Sequence, residues 1–533
     1  MEFSILIGGE AGDGVKQAGL IVAKIFNELG YHIFVYDDYQ SLVRGGHNFS
    51  IIRISDEKIL THKDHVDLIV ALNQDTIEKH FWRAKGDVLF DSNKVKSEGI
   101  GIPALSKAKE MGSHLLRNTI FIGAISKYFG IDLSIVEDVI KKSFKKMQKE
   151  NMDALKFGYD SLDEKHKIDK IGEPREIHSG NESIALGAVG AGMKMYIAYP
   201  MTPASSILHY LASHEDDLNV VTVQPENEIA VATMAVGAAY AGVRTMVGTS
   251  GGGFALMNET VSMCAQSETP VVFVDSQRAG PSTGIPTYQM QADLKFVVNS
   301  GHGDIVRVVV APGDAEESYL LTANAMNLAW KYQIPTFVLI DKHISESTFS
   351  VEFPEVKKEE AKLWDGNGDY KRYEFTEDGI SPLAFPGDKA IVKGTSYEHD
   401  EYGITIEDAE SAKKMQEKRM KKREFLIKEL KNMETVKVYG NENSDVTLLT
   451  WGSTKGACIE VAKELGLKVV QPLYVEPLPM WELGKHLRGR VIAVECNASG
   501  QLADMLDIKE RILKYDGRPF TPEELKKRLE EIL

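Results

Sequence analysis

Cysteine is scarce: the chain has three, Cys264, Cys458 and Cys496, far apart and without CxxC spacing. That excludes a disulfide framework and a self-contained four-cysteine iron–sulfur cluster, so any cluster serving this chain sits on another one. Long hydrophobic runs are missing too, since nothing approaches the roughly 18 consecutive apolar residues of a membrane span. No basic leader with a cleavage site precedes the first apolar strand, so neither export nor membrane insertion is expected and a cytoplasmic protein is. Positive charge is in deficit: 62 Lys and Arg stand against 78 Asp and Glu, a formal net charge of −16. Phosphate backbones need clustered Lys and Arg, so nucleic acid is not an expected partner. The one basic run, Lys413 to Arg423, is interleaved with Met415 and Met420 and reads as the solvated side of a helix.

What is present is an α/β pattern repeated over a length, 533 residues, that one core does not fill. FSILI, the GGEAGDG turn and VKQAGLIVAKIFNELG make strand, turn and helix, and YHIFVYD, SIIRIS and VDLIVAL follow as short strands. Residues 1–170 therefore read as one doubly wound α/β domain. A polar stretch around Asp160 to Arg175 reads as a linker. A second series follows, in which MYIAYP, NVVTVQ, RTMVGTS, PVVFVDS and IPTFVLID alternate with helical segments; it reads as a mostly parallel sheet over residues 176–348. Charge and irregular structure dominate 349–434, a connecting segment, and DVTLLTWGS, KVVQPLYV and RVIAVECN open a third α/β domain over 435–533. The fold class is α/β with three doubly wound domains.

Chemistry concentrates where strands end. The GGEAGDG turn invites dinucleotide binding, with Asp37 or Asp38 at the end of a following strand as the acidic partner. Its spacing is wrong: counted from Gly12, GxGxxG is met at Gly14 but meets Gln17 where its last glycine belongs, and a plain strand-to-helix turn accounts for the glycines equally. YPMTPAS sets the Thr202 hydroxyl between Pro200 and Pro203 at the C-terminal end of a strand, where open parallel sheets hold their ligands. Thr202 as helix cap and Pro203 as first helical residue is the local alternative. QPENEIAVATMAVGAAYAG puts Glu226 and Glu228 before a helix apolar almost all round, hence expected to be buried. Both glutamates serve as capping charges on one reading; on the other, Glu228 is a buried, tunable acid. TSGGG is a strand-end glycine loop that lets a flat ring or a phosphate come close, or simply turns the chain. Arg278, in QRAGPSTGIPT, follows an apolar strand and offers a planar fork matched to a carboxylate.

Taken together and in this order, YPMTPAS, ENE before GAAYAG, TSGGG with LMNE, and QRAGPSTGIPT followed by QADL resemble the alpha subunit of 2-oxoacid:ferredoxin oxidoreductases. GGEAGDG and LVRGGHNFSIIRIS resemble the family's gamma unit, fused ahead of alpha in several members, and SYEHDEYG, VECNASGQLA and DGRPFTPEEL resemble late alpha segments. The resemblance implies a gamma-type domain, a pyrimidine-binding domain for thiamine diphosphate and a C-terminal transketolase-like domain. It places Glu228 on the aminopyrimidine ring with Pro200 beside the cofactor, Arg278 on the carboxylate of the 2-oxoacid, and Thr202 with the substrate. Met201, where Ile or Val is commoner, and TSGGG, in place of a frequent TSGPG, are small departures. The family's diphosphate and magnesium signature is absent. The resemblance therefore implies a beta partner, in a heterodimer or heterotetramer, carrying the diphosphate site, Mg2+ and a [4Fe-4S] cluster, with no metal on this chain. Coenzyme A takes the acyl group and ferredoxin the electrons; the domain containing Arg44 to His47 is a candidate for coenzyme A. Family habit suggests 2-oxoglutarate, or a branched or broad range of 2-oxoacids. The competing readings are a nicotinamide- or flavin-dependent oxidoreductase using the first domain, and a non-catalytic assembly subunit.

Overall fold

The computed structural model describes residues 1–41 and 45–533. Arg44, within the segment considered for coenzyme A, lies outside the described residues. The described residues form three sheets distributed over two compact units, Met1–Ser179 with Glu346–Glu352 and Thr521–Leu533, and Gly180–Ser345 with Phe353–Phe520.

In the first unit eight strands run in the order Ile100–Ile102, Ala84–Asp91, Val66–Ala71, Glu2–Glu10, His47–Ser55, His32–Asp38, Thr348–Val351, Glu176–Ser179. The sheet is mixed rather than parallel throughout. Glu2–Glu10 pairs in parallel with Val66–Ala71 but antiparallel with His47–Ser55, and the antiparallel sense continues to the Glu176–Ser179 edge. The sequence-based boundaries shift accordingly, because Thr348–Val351 pairs with both Glu176–Ser179 and His32–Asp38. The C-terminal helix Pro522–Glu530 also belongs to this unit, where the Thr521 hydroxyl donates to Asp64 Oδ2 at 2.8 Å. Pairings of this kind join residues hundreds of positions apart, and no local pattern announces them. The glycine turn is occupied by the unit's own groups: Arg117 Nη2 pairs with Asp13 Oδ1 at 2.7 Å, and Asn118 Nδ2 donates to the Asp13 carbonyl at 2.7 Å. Asp37 accepts from the Ser50 hydroxyl and Asp38 from the Tyr36 hydroxyl, so both acids proposed for a ribose already have internal partners.

The second unit holds a seven-stranded sheet in the order Tyr474–Glu476, Val308–Val310, Pro335–Asp341, Val271–Gln277, Thr245–Thr249, Met195–Ile197, Val221–Val223. All its pairs are parallel except that of the Tyr474–Glu476 edge. A five-stranded sheet of Val436–Gly440, Lys468–Pro472, Val446–Thr450, Arg490–Glu495 and Glu510–Leu513 completes the unit. From Met195–Ile197 the chain moves outward to Val221–Val223, then returns to the other flank as Thr245–Thr249. The crevice at the carboxyl ends of Met195–Ile197 and Thr245–Thr249 is thus a topological switch point, where open parallel sheets bind ligands.

The basic run is a solvated face only in part, with Lys413, Lys414 and Lys421 exposed. It lies on the helix Ala409–Leu430, and Lys418, Arg419 and Lys422 are buried. Lys418 Nζ meets the Glu268 carboxylate at 2.8 Å and Lys422 Nζ at 2.5 Å, with all three side chains nearly inaccessible. An anion buried on the sheet side calls the cations inward, which a helix read alone cannot show. Burial by itself would raise the Glu268 carboxyl, but Lys418, Lys422 and Arg372 outweigh it and hold it well below the usual range. A carboxyl depressed in the folded state adds stability above its unfolded pKa of about 4.3, and that contribution drains away as pH falls toward the folded value. Glu268→Gln strands two buried ammonium groups and should cost about 3–5 kcal/mol. Denaturant titrations across the acid range should show this loss at neutral pH, together with a shallower acid limb in the variant.

Candidate active site at the switch point of the seven-stranded sheet

Four chain segments bring the sequence-selected residues to one edge. Glu228 follows Val221–Val223 and opens the helix Glu228–Tyr240; Thr202 follows Met195–Ile197; Thr249 to Gly253 follow Thr245–Thr249 into the helix Gly251–Gln266; Arg278 follows Val271–Gln277. Thr249 Oγ1 lies 3.8 Å from Met201 Sδ, so the YPMTPAS and TSGGG loops touch across the switch point. Arg278 Nη1 donates to the Thr202 backbone carbonyl at 2.8 Å, joining the two residues assigned to the substrate.

Neither Thr202 nor Glu228 is the N-cap of the helix that follows it. The helix after YPMTPAS spans Ser205–Ser213, and its cap position is Ala204, so Thr202 does not cap it and Pro203 is not helical. At the next helix the cap is Asn227, whose side chain accepts from the Ala230 N–H at 2.9 Å. Glu228 follows it as the acid of the first turn, where it complements the helix dipole without making the cap bond. Its side chain is 4% exposed, and Oε1 has no hydrogen-bond partner among the described residues. Buried polar atoms are rarely left unpaired in a folded chain, and orphans of this kind mark sites built to receive a group. Glycine makes the room: a Cβ at Gly253 would lie 2.7 Å from Glu228 Oε1 and 2.0 Å from Thr249 Oγ1, so any side chain there would close the gap. Ser250 Oγ, at the start of the same helix, is likewise buried without a partner. The helix Glu228–Tyr240 is not buried all round. Val231, Ala232, Ala235 and Val236 face the core, whereas Ile229 and Met234 are about half exposed, as is Leu256 on the helix packed beside it.

Sequence reasoning missed two acids of this edge. Asp275 lies within Val271–Gln277, 1% exposed, with neither carboxyl oxygen partnered among the described residues. Burial, with the charge of Asp293 adding to it, pushes the Asp275 carboxyl well above the ordinary range. Burial also pushes Asp293 up to about 6, against the pull of Arg278. Burial lowers Arg278 itself, and Asp293 offsets part of that. The signal available was the Asp of VVFVDSQ, an acid inside an otherwise apolar strand, and the Asp of QADL. Pro200 sits half-buried on the Thr202 loop.

Residues 186–421 match a family model described as "Pyruvate flavodoxin/ferredoxin oxidoreductase, thiamine diP-bdg", and residues 4–161 match "Pyruvate ferredoxin/flavodoxin oxidoreductase". The 2-oxoacid:ferredoxin oxidoreductase subunit alpha of a Sulfolobus species is 31% identical over all of this chain and 97% of its own length. The 2-oxoglutarate synthase subunit KorA of Methanocaldococcus jannaschii is 32% identical over 66% of this chain and 98% of its own. The solved structure of 2-oxoglutarate:ferredoxin oxidoreductase from Magnetococcus marinus, with 2-oxoglutarate, coenzyme A and succinyl-CoA bound, superposes with a TM-score of 0.91 at 32% identity over 99% of both chains. With relatives this similar end to end, and a thiamine diphosphate-type domain carrying the described site, the chain belongs to the alpha subunits of the 2-oxoacid:ferredoxin oxidoreductase family.

Proposed function

We propose that this chain, with a beta partner, oxidatively decarboxylates a 2-oxoacid with coenzyme A to give acyl-CoA, carbon dioxide and reduced ferredoxin. The observation that carries the reading is Glu228: a buried carboxyl with an unpartnered oxygen, beside a glycine cradle at the switch point. Thiamine diphosphate fits this pocket edge, since its aminopyrimidine ring is flat and offers a ring nitrogen to an acid. When bound, it supplies the nucleophile and electron sink that decarboxylation needs. Glu228 holds the ring and moves a proton at its nitrogen; Gly251 to Gly253 admit it; Pro200 shapes the loop beside it. Arg278 grips the substrate carboxylate, and Thr202 fixes the arginine through its carbonyl.

The diphosphate, Mg2+ and the [4Fe-4S] cluster are assigned to the partner. A four-thiolate cluster needs more cysteines than this chain has, and its three are buried. The half-exposed Ile229, Met234 and Leu256 beside the site suit a surface that a partner covers. Among the described residues no helix is long and apolar enough to cross a membrane. The chain purified alone should be colourless and inactive, and an iron–sulfur absorbance band in that preparation would count against this division of labour. The direct test copurifies the partner and assays a panel of 2-oxoacids, 2-oxoglutarate and branched acids included, with coenzyme A and a viologen dye. Absence of 2-oxoacid-dependent, thiamine-dependent dye reduction would overturn the reading.

A further inference from the structure

The loop that carries Thr202 is held from two sides. Arg278 Nη1 donates to the Thr202 carbonyl at 2.8 Å, and the very next carbonyl, that of Pro203, accepts from Asn181 Nδ2 at 2.8 Å. The same amide donates to Ser206 Oγ at 2.7 Å, so Asn181 ties the YPMTPAS loop to the first turn of the helix Ser205–Ser213. A carbonyl only accepts, which fixes the amide with its nitrogen toward the loop; Oδ1 turns away and is buried with no hydrogen-bond partner among the described residues. Asn181 is itself fully buried, on the helix Gly180–Gly190. That helix is a firm mount. A Cβ at Gly180 would lie 2.4 Å from the Ile344 carbonyl oxygen and one at Gly187 2.1 Å from the Tyr319 carbonyl oxygen, so its backbone rests directly against its neighbours. Residues 198–204, by contrast, form neither strand nor helix and depend on such ties for their position.

We propose that Asn181 is a positioning residue for substrate capture: by holding the Pro203 carbonyl it sets the adjoining Thr202 carbonyl, and through it the guanidinium of Arg278. This rests on the reading of Arg278 as the carboxylate holder. The two carbonyls belong to successive peptide planes that meet at the Pro203 Cα, and the proline ring fixes one of the two torsions between them. A shift of one plane therefore carries to the other. Asn181 touches no substrate in this scheme; it keeps the planar fork of Arg278 aimed at the carboxylate. Misplacing a binding group without removing it weakens productive capture. Because the gripped carboxylate leaves during the reaction, the loss falls on KM ahead of kcat, as it does for the arginine itself.

The test is steady-state kinetics of the assembled enzyme, run as a double-mutant cycle. Asn181→Ala should lower kcat/KM for the 2-oxoacid about three- to tenfold, the scale of one lost hydrogen bond, with the change in KM exceeding that in kcat. In the Arg278→Ala background the same substitution should cost less than about twofold, because no fork is left to aim. A purely structural role predicts the same cost in both backgrounds. That outcome, or an unchanged kcat/KM in Asn181→Ala where Arg278→Ala has lowered it, would overturn this proposal alone. Unchanged KM and kcat/KM in Arg278→Ala would remove the reading of the arginine, and the proposal with it. Should Asn181→Ala fail to fold, Asn181→Leu decides by the same cycle, since it fills the space while offering the Pro203 carbonyl no donor.

Discussion

Glu228→Gln is expected to lower turnover of the assembled enzyme by about 10² or more while leaving the protein at least as stable as before. The rate term is the scale of a lost proton-transfer group. The stability term follows from the site: Asn227, not Glu228, satisfies the start of the helix, so the roughly 1 kcal/mol cost of a lost cap does not arise. Glu228 Oε1 is a buried acceptor without a partner among the described residues, so the amide breaks no hydrogen bond that the folded chain makes there. Melting temperature and turnover measured on the same preparation separate the roles. A variant that melts several degrees lower, with its rate per folded molecule nearly intact, would make Glu228 a structural residue.

Arg278→Ala should lower kcat/KM for the 2-oxoacid by one to a few powers of ten, with the rise in KM exceeding the loss in kcat. Charge-assisted hydrogen bonds contribute about 1.5–3 kcal/mol each in net terms, and a bidentate grip uses two. One arm of the guanidinium is already committed to the Thr202 carbonyl, which orients the remaining N–H groups. Because the gripped carboxylate leaves as carbon dioxide, an arginine that held it equally well throughout would not speed the reaction; its contribution lies in capture. Arg278→Lys should recover only part, since an ammonium cannot bond Thr202 and a carboxylate in the same planar geometry. Thr202→Val should matter less, because the tie to Arg278 is made by its backbone and survives the substitution. Unchanged KM and kcat/KM for Arg278→Ala, in complexes with thiamine diphosphate bound, would reduce Arg278 to an ion-pair residue.

The motif residues were legible because each sits where a strand ends, and strand ends can be read from local apolar runs. What the local pattern misjudged was burial. Thr202-Pro203 has the composition of a helix start, yet the helix begins at Ser205. The apolar helix after ENE suggests burial on every side, but it leaves Ile229 and Met234 on the surface. Lys413 to Arg423 has the composition of a wet face, yet Lys418 and Lys422 turn inward to Glu268.

By itself the sequence determined the α/β class, the family, and the four loops that converge on the candidate site, since alternation of short strands with helices and the residue types at strand ends are local properties. Only the tertiary structure decided that these loops meet at a switch point, that Glu228 Oε1 and both Asp275 carboxyl oxygens are buried without partners among the described residues, and that Asp293 packs against the start of the helix Gly251–Gln266. Whether a polar group is buried, paired or orphaned depends on what distant segments bring to it. Asp293 reaches the helix start at Gly251 on a loop that Gln291 ties to Trp451 and Cys496, far along the chain.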